Sequence, residues 1–489
     1  MDAKDREINQ LRAENASLRE QLKAMNARLL DLELKLAKAT KNSSNSSKSP
    51  SSDIFKPPPP PEKGKPGRKR KRKQGAQSGH AKKVRELLPP ERVNETIVHE
   101  FSLDEIRQRD LTPLDEFATI QHVELIACPL VVIEHQLRKY RTPVGSVITP
   151  FVPEVQSKPI FGPRLIAMIG FLKSKAHCSY STIAELMGDV WKLPVSRGYL
   201  AKLCNGAISL SLKDSHNEIR DEIAKQPIVG TDETGLKENG RKNWIWCMTC
   251  TDFSYFQIQP TRGRIVLENT ISDEYAGFSG VILCDYFSAN RSYCWNFDVK
   301  AQFCWAHLIR ELRWFAEKYP DEKVNRWAAK LISRSKKMIK SWHRRDNMSE
   351  WGRRRSFDGH RKIFLDLMLH PPETEGRIAL VDRFRTVNLT DGTTYDMSDD
   401  YFRFLSEDGL SLGVPPTNNQ SEQAIRFCVI DRKITQGTRS GRGNHYHERM
   451  WTAIATCRKQ GRNFYEFLLD SVTAQLSSTP SPSLLLSID

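Results

Sequence analysis

Asp232 follows the apolar run in PIVGTDETG, and Asp285 closes the run in GVILCD. Each segment reads as a short strand, so each aspartate is delivered to the end of a sheet. A single aspartate there is ordinarily a turn or cap residue. Two on adjacent strands meet, and carboxylates that meet can share divalent ions, because hard cations such as Mg2+ take carboxylate oxygen and leave positions to water and phosphate. With two ions, one serves the attacking oxygen and the other the leaving oxygen of a phosphoryl displacement. A third acid would come from a helix returning to that edge. TNNQSEQAIRFCVIDRKI offers Glu422 in its first turns, with Thr417 or Asn418 as N-cap. Spacing alone equally permits an exposed Glu422 paired with Arg426 one turn on. Glu233 could steady a ligand, but strand alternation points it away from Asp232.

The elements that must hold these acids begin after Gln226. PIVGTDETG, NWIWCMTCTD and SYFQIQP are three short runs with turn residues between them, as in an antiparallel meander. A helical stretch (264–272), the strand GVILCD, the helix RSYCWNF, the strand VKAQFCWAH and a long helix from Leu308 follow. The order β-β-β-α-β-α-β-α is that of a ribonuclease H-like fold. In a mixed sheet of this order the first and fourth strands are neighbours, which brings Asp232 to Asp285.

Upstream, Ile8, Leu11, Leu18, Leu22, Met25, Leu29, Leu32 and Leu36 alternate in threes and fours, with Asn15 at an a position. This is a coiled-coil pattern, and a polar a residue favours a parallel dimer, so a homo-oligomer is expected over 1–40. Residues 41–62 are rich in serine, asparagine and proline and form a linker. Within KGKPGRKRKRK, Arg68, Lys69, Arg70, Lys71, Arg72 and Lys73 concentrate charge that phosphates relieve, giving affinity without sequence preference. The basic linker (41–89) is followed by runs at 90–157 that suggest a small β-rich module. A helical module (158–222) could hold a helix-turn-helix, with Tyr180–Met187 first and Ser196–Cys204 as the recognition helix, Ser196 as N-cap and Arg197 facing DNA. A catalytic domain at 223–475, a helical insertion at about 318–410 and a tail at 476–489 complete the chain.

Lysine and arginine number 75 against 59 aspartates and glutamates, an excess of 16 that suits a phosphate-rich partner. The charged N-terminus is no signal segment, and no apolar run is long enough for a membrane span, so a cytoplasmic, nucleoid-associated protein is expected. The ten cysteines follow no disulfide framework. Cys247 and Cys250 form a C-x-x-C inside a strand, where residues three apart face opposite sides, so they read as core or surface thiols.

Together GTDETG, ILCDYFSANRSY, FCWAHLIREL and NNQSEQAIRFCVIDRKITQGTRSG resemble the transposases of the insertion sequence 66 family, and the resemblance runs from about Gly75 onward through GAQSGH. It implies a DDE triad of Asp232, Asp285 and Glu422 that holds two Mg2+ ions, with Mn2+ able to substitute. It also implies cleavage and strand transfer of DNA, and companion proteins. The family usually carries a zinc module with paired cysteines in the region of 90–145, where this chain has only Cys128, so zinc is not predicted. Cys304 and His307 belong to the CWAH motif and read as packing or positioning residues. Arg432, Lys433, Arg439 and Arg442 stand near Glu422 as contacts to the DNA backbone. The rivals are a nuclease or resolvase of the same fold, which the coiled coil and separate DNA-binding modules disfavour, and a non-catalytic DNA-binding regulator, which an intact triad disfavours.

Overall fold

The computed structural model describes residues 3–39, 87–110, 118–123, 126, 129–152, 159–272, 278–374, 378–388 and 394–486. They fall into two units, one of Met1–Pro58, His135–Gly188 and Leu193–Asp489, the other of Pro59–Glu134 and Asp189–Lys192. In the first, the leucine-patterned N-terminus is one helix, α1 (Ala3–Ala39), fastened near its end where Trp314 Nε1 donates to the Ala37 carbonyl at 3.2 Å. The second holds α2 (Leu103–Arg109), which starts with a capping box. There the Ser102 amide donates to the Glu105 carboxylate at 3.1 Å, and the Glu105 amide donates back to Ser102 Oγ at 3.4 Å.

The β-rich module expected over 90–157 is corrected by the structure. Its described residues hold a 3-10 turn (Pro90–Arg92), α2, and the two-residue strands β1 (Tyr140–Arg141) and β2 (Val147–Ile148), paired antiparallel. Alternating sequence becomes strand only where a neighbour supplies a ladder and a face to bury. Ile120, Val131 and Val132 instead stay exposed.

Helices α3 (Pro163–Gly170), α4 (Tyr180–Asp189), α5 (Arg197–Leu203) and α6 (Lys213–Glu222) follow, with π-helical turns continuing α3 and α5. Ser196 caps α5, its Oγ accepting from the Tyr199 amide at 3.2 Å. The sheet then begins with the meander β3 (Ile228–Glu238), β4 (Arg241–Thr249) and β5 (Ser254–Gln259). Asn239 and Gly240 join β3 to β4 with φ of 46° and 82°, the pair of positive values that a tight hairpin turn of matching twist requires. Helix α7 (Ile265–Ile271) leads to β6 (Val281–Cys284), parallel to β3, and α8 (Ser288–Asn296) leads to β7 (Lys300–Phe303), parallel to β6. The strand order is β5-β4-β3-β6-β7. β6 is apolar throughout because both its faces are covered.

After β7 come α9 (Trp305–Lys318), α10 (Glu322–Trp342) and α11 (Glu350–Leu369), then a hairpin of β8 (Thr386–Asn388) and β9 (Thr394–Asp396). Trp305 roots this insertion in the core: its Nε1 donates to the Tyr401 carbonyl at 2.5 Å and its ring lies 5.0 Å from that of Phe364. Helices α12 (Asn419–Thr435), α13 (Gly441–Lys459) and α14 (Phe464–Ser477) close the chain. α12 and α13 cover one face of the sheet, where Leu236, Ile245, Cys247, Phe256, Ile425, Cys428 and Trp451 form a buried cluster. The helices from α3 to α6 are no detached module. Ser174 Oγ and Tyr446 Oη lie 2.9 Å apart, Arg449 donates to the Ser209 carbonyl at 2.9 Å, and Phe171 stacks on Phe464.

The edge strand β5 is sealed by helix side chains. Glu448, Thr452 and Thr456, four residues apart along α13, accept the amides of Ile258, Phe256 and Ser254 at 2.6, 3.1 and 3.2 Å. Four helical residues rise about 6 Å and two strand residues about 6.7 Å, so one row of side chains can follow every second amide. Thr452→Val keeps the shape and orphans the buried Phe256 amide. It is expected to cost about 1–3 kcal/mol, read by denaturant unfolding; an unchanged midpoint and slope would show that the ladder carries no weight.

Candidate acidic site

Gly230 of β3 is in register with Leu283 of β6, so two residues further on Asp232 runs beside Asp285. Both are partly exposed, on adjacent parallel strands. Asp285 directly follows the end of β6, whereas Asp232 lies within β3, which runs on to Glu238 because β4 continues to pair with it, and not at the strand end that the sequence suggested. Asp285 turns the chain into α8, its Oδ1 accepting from the Phe287 amide at 3.1 Å and from Asn290 Nδ2 at 2.9 Å. Glu422 arrives from the first turn of α12 because that helix is clamped onto β3 and β4. Asn418 Nδ2 donates to the Thr231 carbonyl at 2.7 Å, and Ser421 Oγ and Thr249 Oγ1 lie 2.6 Å apart. Gly230 makes the approach possible: a Cβ there would meet Ser421 Oγ, Thr249 Oγ1 and Asn418 Oδ1 at 2.6, 2.7 and 2.8 Å. Asn418 is the N-cap residue, as the sequence suggested, but its side chain serves β3 rather than its own helix.

The three acids share one field. Burial, then the charges of Glu233, Asp285 and Glu422, hold the Asp232 carboxyl well above the usual aspartate range. Burial also raises Asp285, against the pull of Arg262 and its two hydrogen bonds; Glu311, paired with Arg383 at 2.8 Å, adds to the rise. Glu233 is buried, and Arg262 Nε donates to its Oε1 at 2.6 Å. The Arg262 guanidinium lies 3.7 Å from the Phe287 ring centre and 4.9 Å from that of Trp244. Burial and the Asp285 charge push Glu233 up to about 7, with Arg262 opposing.

Glu422 finds its partner in Arg310 of α9, whose Nη2 donates to Oε1 at 2.6 Å, rather than in Arg426. His307 Nδ1 is 3.4 Å from the same oxygen, and burial and Arg310 push that imidazole down to about 3. Cys304, His307 and Glu422 bring their ligand atoms within 4.8 Å of one another. Neither Arg262 nor Arg310 stands out in the sequence, since each meets its acid only through the tertiary fold.

Among the basic residues singled out earlier, Arg197 is exposed at the start of α5, and Lys433, Arg439 and Arg442 are exposed near the end of α12 and the start of α13. Arg432 is placed differently. It is half-buried and bonded to Thr234 Oγ1 at 3.1 Å and to the Gly235 carbonyl, because the last turn of α12 lies across β3. Arg68, Lys69, Arg70, Lys71, Arg72, Lys73 and Cys128 lie outside the described residues. Cys247 and Cys250 are buried, and burial pushes the Cys250 thiol up to about 12.

An acidic site on a mixed sheet, in a chain with a large basic excess, belongs to a protein that works on a polyanion. The signature of the Transposase IS66 family matches residues 158–446, well over half of the chain, and the chain belongs to that family. Residues 2–86 match a family of unknown function, DUF6444. A search of curated proteins finds no match. Family membership makes the chain a transposase, a role that implies DNA binding, nucleotidyl-transfer or nuclease activity in general, and dependence on a divalent metal. Among the described residues no helix is long and apolar enough to cross a membrane.

Proposed function

We propose that this transposase is a DDE enzyme with a ribonuclease H-like core, and that Asp232, Asp285 and Glu422 hold two Mg2+ ions for cleavage and strand transfer of DNA. The observation that carries this is the convergence of two adjacent parallel strands and a clamped helix on one cluster of acids. The donor set fits the ions: three partly exposed carboxyl groups offer hard oxygen, and two of them are raised by burial and negative charge, an excess that cations relieve. Bound there, the ions supply charge stabilisation at the attacking and leaving oxygens. The chain supplies position. Asn290 and the Phe287 amide orient Asp285, Arg310 steadies Glu422, and Arg262 holds Glu233 back from the acids. Arg197, Lys433, Arg439 and Arg442 are exposed to meet DNA phosphates. The test is Mg2+-dependent joining of a labelled transposon-end oligonucleotide to plasmid by wild type and Asp285→Ala. Equal product from both sinks the assignment.

The raised acids have a consequence for stability. Glu233 has a folded value of about 7 against an ordinary 4.5, so its protonated form favours the fold. That contribution is complete below 4.5 and is lost as pH rises to about 7. With divalent ions chelated, the Tm of wild type should therefore fall relative to Glu233→Gln as pH rises through that window. A constant gap in calorimetric scans across it would refute the shift.

The N-terminal helix supports a dimer. Leu11, Leu18, Leu22, Met25, Leu29, Leu32 and Leu36 of α1 are 52–69% exposed, a heptad row whose fitting partner is the same row of a second copy. The double substitution Leu22→Glu, Leu29→Glu should turn a dimer into a monomer in light scattering. An unchanged mass would place the contact elsewhere.

A further inference from the structure

We propose that Cys304, His307 and Glu422 form a binding site for a thiophilic divalent cation such as zinc, and that this site competes with the Mg2+ site for Glu422. Cys304 stands at the N-cap of α9 and His307 one turn later, on the same side of that helix. Glu422 comes from α12, whose start is tied to the thiol itself: the Asn418 amide donates to Cys304 Sγ at 3.1 Å. Sulfur, imidazole nitrogen and carboxylate oxygen then lie within 4.8 Å of one another. An independent observation points the same way. His307 is 9% exposed, and its Nδ1 has no hydrogen-bond partner among the described residues, although Glu422 Oε1 is 3.4 Å away. A buried ring nitrogen left so is costly unless a ligand meets it.

The donor set selects the ion. Thiolate and imidazole favour zinc over magnesium, and three protein donors leave a fourth position to water. On binding, Cys304 gives its thiol proton to solvent as the metal–sulfur bond forms, and Arg310 releases Glu422 Oε1. The sequence motif carries only two of these donors. The third lies 422 − 304 = 118 positions on and arrives only when α12 folds onto β3. Binding stands on this geometry alone; the competition rests on the triad proposed above.

The test is titration of the full-length reduced protein with Co2+ alone. One equivalent should produce thiolate-to-cobalt charge-transfer absorption. Asp285→Ala should keep it, Cys304→Ser should lose it, and His307→Asn should weaken cobalt affinity about tenfold or more. No band in wild type, or an unchanged band in Cys304→Ser, overturns the site. If Cys304→Ser does not fold, His307→Asn and Glu422→Gln decide, and undiminished affinity in both overturns it. In the joining assay, one equivalent of zinc should inhibit wild type more than His307→Asn, and equal inhibition overturns the competition. A wild type that binds cobalt but joins no DNA with Mg2+ marks failure of the triad instead.

Discussion

Asp285→Ala is expected to lose DNA joining by about a thousandfold or more while unfolding at a higher temperature than wild type in the absence of divalent ions. The two effects share a cause. Asp285 is held at the end of β6 by the Phe287 amide and Asn290, close enough to Asp232 and Glu233 to raise both carboxyls. That repulsion is a standing cost to the fold, tolerated where it concentrates negative charge for a cation to neutralise. Removing one acid relieves the cost and removes the ligand together. Added Mg2+ should raise the Tm of wild type by more than that of the variant. A variant that is both inactive and less stable without metal would instead mark Asp285 as a structural cap, its role at most strand ends.

Gly230→Ala is expected to disturb the acidic site directly, because this glycine lies where α12 meets β3. Its Cβ would meet three side-chain oxygens at 2.6–2.8 Å, two of them, Ser421 Oγ and Thr249 Oγ1, bonded to each other. Either that bond breaks or the start of α12 lifts from β3. Overpacking together with lost buried hydrogen bonds amounts to about 2–4 kcal/mol. Displacing Glu422 by even about 1 Å is enough to lower the rate roughly a hundredfold. Chemical unfolding and the joining assay read the two effects separately. Wild-type behaviour in both would mean that α12 is not clamped through this glycine.

Several of these features were legible in the sequence, for local reasons. The strand order follows from run lengths and turn residues, and the side-by-side placement of Asp232 and Asp285 follows from that order. Ser196 as the cap of α5 follows from its residue type ahead of a helical run. Other features depend on contacts between distant segments. Arg310 and Glu422 are 112 residues apart, and nothing near either predicts the pair. Arg432 looked like a surface cation because of its basic neighbours, yet the helix that carries it lies across β3. The runs over 90–157 had strand-like alternation, but alternation does not supply a partner strand. The helices from α3 to α6 gave no sign that they would pack on α13 and α14, because the residues that hold them there lie more than two hundred positions downstream.

The row of acceptors on α13 has its counterpart at the far side of the sheet. Beside β7, Gln302 donates to the Tyr401 carbonyl and accepts the Phe404 amide, while Arg403 caps the Ala301 carbonyl. Both borders are therefore engaged by other segments of the same chain, which disfavours continuation of the sheet by a second copy. Two copies working on two DNA ends would not be fused backbone to backbone into one rigid slab. Their separation would be set by α1 and by the nucleic acid itself, so the enzyme could be paired or released without disturbing the architecture that holds its acids.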